Sequence, residues 1–491
     1  LFMTGPPQSE DAPAAERPRL QSRPSAGKVR LQQLVNQAVV TKRLLIKAEN
    51  IDHSKMLHRY PTQKLQLLRS ESQRKRIVAY AYSKYRSVIE GVMYALRLVL
   101  RRLFGLSIVP LLSLLPNRWV PSMLRRMPVQ VLVTMDPGQD LDDEMFLVLL
   151  RALTHRRLVQ CRGVVTDLAP AAMRAQLARG TLDLLGLPHV PVAAGTDGGA
   201  QGDTESMAGL DYMGACEACN PMGQQLMVQV LKEAEPSSIT LVIISSLKDA
   251  AQLLRHEEKL FKAKIKQVVI QGGVQPFDVG GVASGDPDFL LPDSAHNNEF
   301  DRDASAFFYR RCQQIGLPLI VLSRFAAYSC PVPRTIYDNM AATGSPIGAH
   351  LQQVQAASIE RLWKRAVAPD GSDERKGLPA RCDKAWFCQT FLGGEGLERT
   401  ASDEIWDLVR TFNMYDPLAL LSAIPEIQPY FQFCEYTVNG ACHRVVGVSK
   451  EKNGVRPGTP SLTEYMYAAF MEGIHLGVNE VVEDSMSSGE P

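Results

Sequence analysis

The sequence predicts an α/β protein with an open, mainly parallel sheet covered by helices on both faces, preceded by a basic helical extension. From residue 129 onward, short β-branched runs alternate with helical stretches, which is typical of right-handed βαβ units. Charge marks the same boundary, because residues 1–128 carry 23 Lys/Arg against 7 Asp/Glu, whereas residues 129–491 carry 31 against 45. With 45% hydrophobic and 22% charged residues, the chain is neither disordered nor collagen-like. We therefore divide it into a basic extension, residues 1–128, and an α/β domain, residues 129–491.

The first part of the extension has the composition of a targeting segment. Residues 1–27 are rich in Pro, Ser, Gln and Ala, which predicts a poorly ordered arm. Arg-rich, acid-poor composition favours an organelle-targeting remnant, mitochondrial before plastid, with a cytoplasmic location as the alternative. Residues 28–90 mix spaced apolar residues with many Lys and Arg, which predicts helices.

An apolar stretch, residues 91–116, follows these helices. Its longest charge-free run, residues 103–117, has 15 residues and contains Pro110, whereas a bilayer-spanning helix needs about 20 apolar residues. A transmembrane helix is therefore not expected. Arg97, Arg101 and Arg102 favour an amphipathic segment on an anionic membrane surface. The same pattern suits a helix docked on a protein partner or on the chain's own α/β domain, and we prefer membrane or partner contact to packing on the domain.

The α/β domain opens on a buried strand, residues 129–135, and a helix follows at residues 144–153. A second strand at residues 158–165 and a helix ending near residue 185 complete the first βαβ unit. Later β-branched runs, each separated by a helical pattern, predict strands at residues 239–244, 265–271 and 317–322. In open parallel sheets, ligands bind at the carboxyl ends of the strands, so the site is expected there.

Four aspartates follow the first strand within eight residues: Asp136, Asp140, Asp142 and Asp143. Like charges this close repel unless a cation neutralises them or some are protonated. Carboxylate oxygens suit a hard cation such as Ca²⁺ or Mg²⁺, and the spacing lacks the features of an EF-hand. Acids at a helix N-terminus, which favour the helix dipole, would explain only the later ones. The cluster therefore predicts a cation site.

At this point the sequence resembles the inosine–uridine preferring nucleoside hydrolase family. Six segments resemble motifs of that family and follow its order: residues 136–143, 192–199, 245–249, 265–274, 298–304 and 416–419. The basic extension has no counterpart in the resemblance. The resemblance implies a nucleoside hydrolase-like fold and hydrolysis of the N-glycosidic bond of a nucleoside.

The resemblance also implies a Ca²⁺ site and a general base. Carried over residue by residue, the metal ligands are the side chains of Asp136, Asp143 and Asp416 and the backbone carbonyl of Lys248. Asp136 is expected to take the proton of the attacking water. Asp140 is a further candidate in the same turn. Lys248 is a departure, since the family has Thr at its position.

Four acidic residues are the expected substrate-binding set. Asp142 and Glu299 would bind ribose hydroxyls from opposite walls, and Asp293 and Asp301 stand where the family has Asn. All four assignments are implied by the resemblance.

The leaving-group acid is the largest departure. Tyr415 precedes Asp416, where purine-active members of the family place a His that protonates the base. A Tyr hydroxyl has a reference pKa near 10 and is a reluctant acid. His296, in the loop before Glu299, is the alternative candidate. Thr134 also departs from the family, which has its first Asp there.

Two functions follow from these observations. The first is a Ca²⁺-dependent N-ribohydrolase that acts on a nucleoside or a related riboside. The second is a weakened or inactive nucleoside hydrolase-like scaffold, an accessory subunit of a larger organellar and membrane-associated complex. In both, residues 28–128 would contact protein partners or anionic lipid. Specific nucleic-acid binding is not expected, because the extension lacks a binding motif. The oligomeric state is open, a homo-oligomer included.

Overall fold

The computed structural model describes residues 127–487, apart from residues 139, 201–206, 208–209, 215–221, 277–288, 377, 379 and 459. These residues lie in the second of two units of the chain, Pro128–Pro491, except for Met127. The predictions for the leader, the helical extension and its apolar stretch lie outside the described residues. In the described part of the chain, no helix has both the length and the apolarity needed to cross a membrane.

The described strands form one large sheet and one small one. The large sheet has eight strands in the order β3-β2-β1-β4-β5-β6-β10-β9, and all neighbours are parallel except β9 and β10. The two-stranded sheet pairs β7 with β8. The strands are β1 (Val129–Met135), β2 (Val159–Thr166), β3 (Val192–Ala194), β4 (Ile239–Ile243), β5 (Ile265–Gln271), β6 (Leu319–Leu322), β7 (Val332–Pro333), β8 (Thr411–Phe412), β9 (Cys434–Val438) and β10 (Ala441–Val446).

Helices connect these strands and cover the large sheet. In chain order they are α1 (Asp142–His155), α2 (Ala171–Leu184), α3 (Gly223–Glu233), α4 (Lys248–His256), α5 (Glu258–Lys264), α6 (His296–Glu299), α7 (Arg302–Gln314), α8 (Arg324–Tyr328), α9 (Thr335–Ala341), α10 (Pro346–Val367), α11 (Lys384–Phe391), α12 (Asp416–Ser422) and α13 (Leu462–Ser487). Short 3₁₀ turns lie at Asp373–Arg375, Trp406–Leu408 and Gln428–Tyr430.

The central strand β1 shows why helices cover both faces of the sheet. Side chains alternate between the faces of a strand, so Val131, Val133 and Met135 join one apolar core and Leu132 joins the other. The first core contains α1, α2, α12 and α13, and the second contains α3, α4, α5 and α7. A strand buried on both faces is mostly apolar, and in the buried residues 131–135 only Thr134 is polar.

The predicted mainly parallel α/β architecture is confirmed, and each predicted strand is found within one or two residues of its expected ends. Strand β3 and the β9–β10 hairpin were not predicted from the sequence. The hairpin turns at Asn439 and Gly440, whose φ angles of 49° and 77° suit a two-residue turn between antiparallel strands. Strand β10 then pairs with β6 in parallel, which places the hairpin at the edge of the sheet.

Candidate active site

The acidic turn between β1 and α1 is held by two hydrogen bonds of its own. The Asp136 N–H donates to Asp143 Oδ1 at 2.9 Å, and the Asp142 N–H donates to Asp140 Oδ1 at 3.0 Å. Gly138 has a φ of 85°, and a Cβ there would lie 2.6 Å from the Met207 side chain. The turn therefore needs glycine at this position, and both carboxylates that accept its hydrogen bonds follow the glycine in the chain.

Asp142 joins this turn to the start of α12, a segment far away in the chain. Its Oδ2 accepts the Tyr415 N–H at 2.6 Å and the Asp416 N–H at 3.3 Å. The first N–H groups of a helix lack partners within that helix, so a carboxylate from another helix satisfies them here. This contact brings Asp416 to the acidic turn.

Three carboxylates come close enough together to share a cation. Ligand oxygens of Asp140, Asp143 and Asp416 lie within 4.8 Å of one another, with Asp143 and Asp416 buried and Asp140 exposed. An all-oxygen set of this kind fits a hard cation such as Ca²⁺. We call these three residues the carboxylate cluster.

Two of the expected metal ligands, Asp136 and Lys248, are not among the three residues of the carboxylate cluster. Asp136 is attached through its backbone N–H to Asp143. Lys248 begins α4, and its ammonium forms an ion pair with Asp197 Oδ1 at 2.6 Å. Whether the Asp136 side chain and the Lys248 carbonyl bind a cation stays a prediction. Asp140, the further candidate of the sequence reading, is the third carboxylate that the structure brings in.

Burial gives these acids unusual proton affinities. Desolvation, followed by repulsion from Asp140, raises the pKa of Asp136 to about 8. Desolvation and neighbouring carboxylates also raise the pKa values of Asp142, Asp143 and Asp416 well above their ordinary range. A bound cation favours the ionised carboxylates, so cation binding and proton release are coupled at this site.

The second group of predicted site residues lies on α6 and the loop before it. Asp293 Oδ1 accepts the Ala295 N–H at 2.8 Å and the Asn298 side-chain amide at 3.2 Å. A Cβ on Gly273 would lie 2.3 Å from Asp293 Oδ2, so the glycine after β5 allows this carboxylate its position. Glu299 is half-buried and pairs with Arg302.

A cleft of about 550 Å³ is lined by these residues, among them Asp293, Asn298, Glu299 and Arg302. Asp301 has a structural task beside them: it caps α7, and its Oδ1 accepts the Ala304 N–H at 2.9 Å. Its substrate-binding role stays a prediction, as do those of Asp142, Asp293 and Glu299.

No protein-family model matches the chain. An inosine-uridine preferring nucleoside hydrolase from Crithidia fasciculata is 29% identical over 163 residues, which cover 30% of this chain and 49% of the relative. The chain thus spans about half the length of this curated relative. Over these 163 residues the domain is similar to a nucleoside hydrolase, and we call it the nucleoside hydrolase-like domain.

Two solved structures resemble the nucleoside hydrolase-like domain. The effector protein XOO4466 is 27% identical, with a TM-score of 0.57, and the match covers 72% of this chain and 94% of that chain. The type III effector protein XopQ, complexed with adenosine diphosphate ribose, is 29% identical with a TM-score of 0.58, and the match covers 71% and 94%.

The two candidate leaving-group acids of the nucleoside hydrolase-like domain differ in setting. The Tyr415 ring lies 6.3 Å from that of Tyr328 between centroids, and burial raises the pKa of its phenol above the usual value. The phenol therefore stays neutral and can donate a hydrogen bond. His296 packs edge-on against Phe300 with 4.7 Å between ring centroids, and its electrostatic interaction with Asp140 favours the ionised carboxylate. His296 is thus within electrostatic reach of the carboxylate cluster.

Sequence reasoning missed a buried carboxyl at the end of β2. Met135 pairs with Thr166, so Asp167 follows β2 as Asp136 follows β1. Asp167 is fully buried, accepts the Ser245 hydroxyl at 3.1 Å, and has its pKa raised by burial and nearby acids. Strand register, read after the pairing of β1 with β2 is known, is the signal that finds it.

Proposed function

We propose that the domain hydrolyses the N-glycosidic bond of a riboside and uses Ca²⁺. One observation carries the proposal: the carboxylate cluster forms where β1 of the nucleoside hydrolase-like sheet ends, from residues more than 270 positions apart in the chain. Purely structural acids would not need to converge in this way, because each buried carboxyl costs desolvation. The similarity to the Crithidia fasciculata enzyme supports the reaction type.

The chain's own residues then take distinct parts in the reaction. Burial raises the pKa of Asp136 to about 8, and a bound cation would keep this carboxyl ionised, so that it can take a proton from the attacking water near neutral pH. Asp142 Oδ2 accepts the Tyr415 N–H at the start of α12, and we assign Asp142 Oδ1 to a ribose hydroxyl. Glu299 would hold a second hydroxyl from the wall of the cleft.

The carboxylate cluster would hold the cation, with Asp136 and the Lys248 carbonyl as further predicted ligands. A bound Ca²⁺ would supply positive charge that stabilises the attacking water in its deprotonated form. The geometry supports a hard cation through its all-oxygen donor set.

The leaving group is limited by Tyr415. Because its phenol is neutral and its pKa is raised, it donates a hydrogen bond but gives up its proton poorly. Ribosides whose leaving group needs no proton are therefore the favoured substrates. The adenosine diphosphate ribose complex of XopQ supports ADP-ribosyl compounds as a further class.

The test uses the full chain with inosine, uridine, a nitrophenyl riboside and an ADP-ribosyl compound, in millimolar Ca²⁺ and in chelator. We expect Ca²⁺-dependent release of nitrophenol, which Asp136→Asn and Asp143→Asn abolish. Asp183→Asn is the matched control, since this acid pairs with Arg179 on α2 outside the carboxylate cluster. Absence of cleavage of every riboside would reject the catalytic proposal.

The alternative is a scaffold or accessory subunit. Tyr415 and Lys248, which stand where the resemblance implies His and Thr, favour it, as does a basic extension without a counterpart in the family. The extension would then contact protein partners or anionic lipid, and the complex would be mitochondrial. Imaging of the tagged full chain, and co-purification of defined organellar partners, tests this alternative.

A further inference from the structure

Arg174 lies beneath the acidic turn and is fully buried. Its Nε donates to the Leu168 carbonyl at 2.9 Å, and its Nη1 donates to the Asp136 and Pro137 carbonyls at 3.0 and 2.9 Å. One guanidinium of α2 thus ties the turn after β1 to the loop after β2.

These carbonyls lie where the sheet ends, so strand pairing cannot satisfy them all. A buried carbonyl without a donor destabilises the fold, and two of these three carbonyls belong to Asp136, the proposed base, and to Pro137 next to it. A guanidinium presents several N–H groups in a fixed plane, so it can serve separate carbonyls at once; the compact ammonium of Lys cannot hold the same fork.

The charge of Arg174 acts on the same region. It lowers the pKa values of the buried acids Asp136, Glu144 and Asp167, and so opposes the effect of burial on each. The side chain therefore contributes both backbone hydrogen bonds and a buried positive charge to an otherwise acidic region.

We propose that Arg174 is a positioning residue of the site: it fixes the backbone of Asp136 and Pro137 and thereby sets the cation affinity of the carboxylate cluster. The effect on cation affinity rests on the proposed function, whereas the effect on the turn does not. Partners that orient metal ligands from outside typically change metal affinity 10–100-fold when they are removed.

Arg179 offers a matched control on the same helix. It is also buried, and it donates to the carbonyls of Val190 and Leu187 and pairs with Asp183. Its loss removes a buried guanidinium from α2 without removing a bond to the acidic turn.

The experiment compares the full-length parent with Arg174→Met, Arg174→Lys and Arg179→Met. Hydrogen exchange of residues 136–143 is measured without Ca²⁺, and CaCl₂ is then titrated by calorimetry. We expect Arg174→Met to speed exchange in this segment by about tenfold or more and to weaken Ca²⁺ binding about 10–100-fold. Arg174→Lys should be intermediate, and Arg179→Met should match the parent in both.

Parent-like exchange at residues 136–143 in a folded Arg174→Met protein would overturn the proposal. If that variant does not fold, Arg174→Lys decides, and parent-like exchange and affinity would again overturn it. If the parent binds no Ca²⁺ and cleaves no riboside, the proposed function fails, while the exchange comparison still decides the role of Arg174.

Discussion

Asp142 has both a structural role, through its hydrogen bonds, and a proposed role in substrate binding. Its side chain accepts the N–H groups of Tyr415 and Asp416, and its neighbour Asp143 accepts the Asp136 N–H. The acids that are proposed to bind substrate and cation therefore also hold the turn and α12 in place. Substitutions here are expected to alter structure as well as chemistry, so each needs a structural control.

Tyr415 can be tested without removing a carboxylate. Because only its backbone N–H bonds to Asp142, Tyr415→His keeps that contact and adds a group that titrates near neutral pH. We expect inosine hydrolysis to rise about 10²–10⁴-fold, the usual contribution of general acid catalysis, with little change for a nitrophenyl riboside. Steady-state rates with both substrates test this.

Tyr415→Phe is the control for Tyr415→His, and it should leave inosine hydrolysis low. Fast inosine cleavage by the parent protein would contradict the argument from the neutral phenol. It would direct attention to His296 as the acid.

Among the helices and strands, the sequence predicted those that a local hydrophobic pattern marks. The strand of residues 129–135 and its acidic turn were found because a mostly apolar, Val-rich run ends abruptly in carboxylates. Strand β3 has three residues, too few for a pattern, and the pairing of β10 with β6 joins segments more than a hundred residues apart. Asp167 and Arg174 were missed for the same reason, since their place depends on strand register and helix packing.

Substitutions of Asp301 can separate its role as the cap of α7 from its predicted role in substrate binding. Its side chain caps α7, so Asp301→Ala should lower the free energy of unfolding by about 0.5–2 kcal/mol. Asp301→Ser retains a good cap and should recover most of this loss, as chemical denaturation would measure. If Asp301 also binds substrate, the Ser variant should still raise KM for the riboside; an unchanged KM would contradict the substrate assignment.

For the whole molecule, buried acids and buried histidines have opposite effects on how the free energy of unfolding depends on pH. Burial is the largest cause that raises the pKa values of Asp136 and Glu144 to about 8, from 3.8 and 4.5. The folded state holds these protons more tightly, so the stability they contribute is lost as pH rises toward 8. Burial lowers the pKa values of His350 and His443 to about 4, so their contribution is lost as pH falls from 6.5 toward 4.

Between pH 6.5 and 8, only the carboxyl effect should therefore be visible among these groups. Without a divalent cation, we expect the free energy of unfolding to fall by roughly 2–4 kcal/mol over this range, since each titrating proton contributes about 1.4 kcal/mol per pH unit. Saturating Ca²⁺ should reduce the fall, because it holds the proposed ligands ionised in the folded state. Glu144→Gln should reduce it by the share of one carboxyl, and a flat profile in chelator would contradict the prediction. Denaturation at each pH, with and without Ca²⁺, is the measurement.

The division of the chain leads to a prediction about truncation. A protein that begins near Leu124 retains all ten described strands and should fold by itself, with the far-ultraviolet circular dichroism of an α/β protein and a cooperative thermal transition. Loss of residues 1–123 should abolish binding to anionic vesicles. An insoluble or unfolded product would mean that the extension belongs to the core.

The hydrogen bond between Asp142 and Tyr415 also determines how late in synthesis the site can form. Its two ends are 273 residues apart in the chain. At about 5–20 residues per second, a ribosome needs roughly 14–55 s to make that interval. Through that time the acidic turn has been made without α12, which supplies Asp416 to the carboxylate cluster. The proposed cation can therefore bind the complete cluster, and stabilise the fold through it, only after residue 416 has been made.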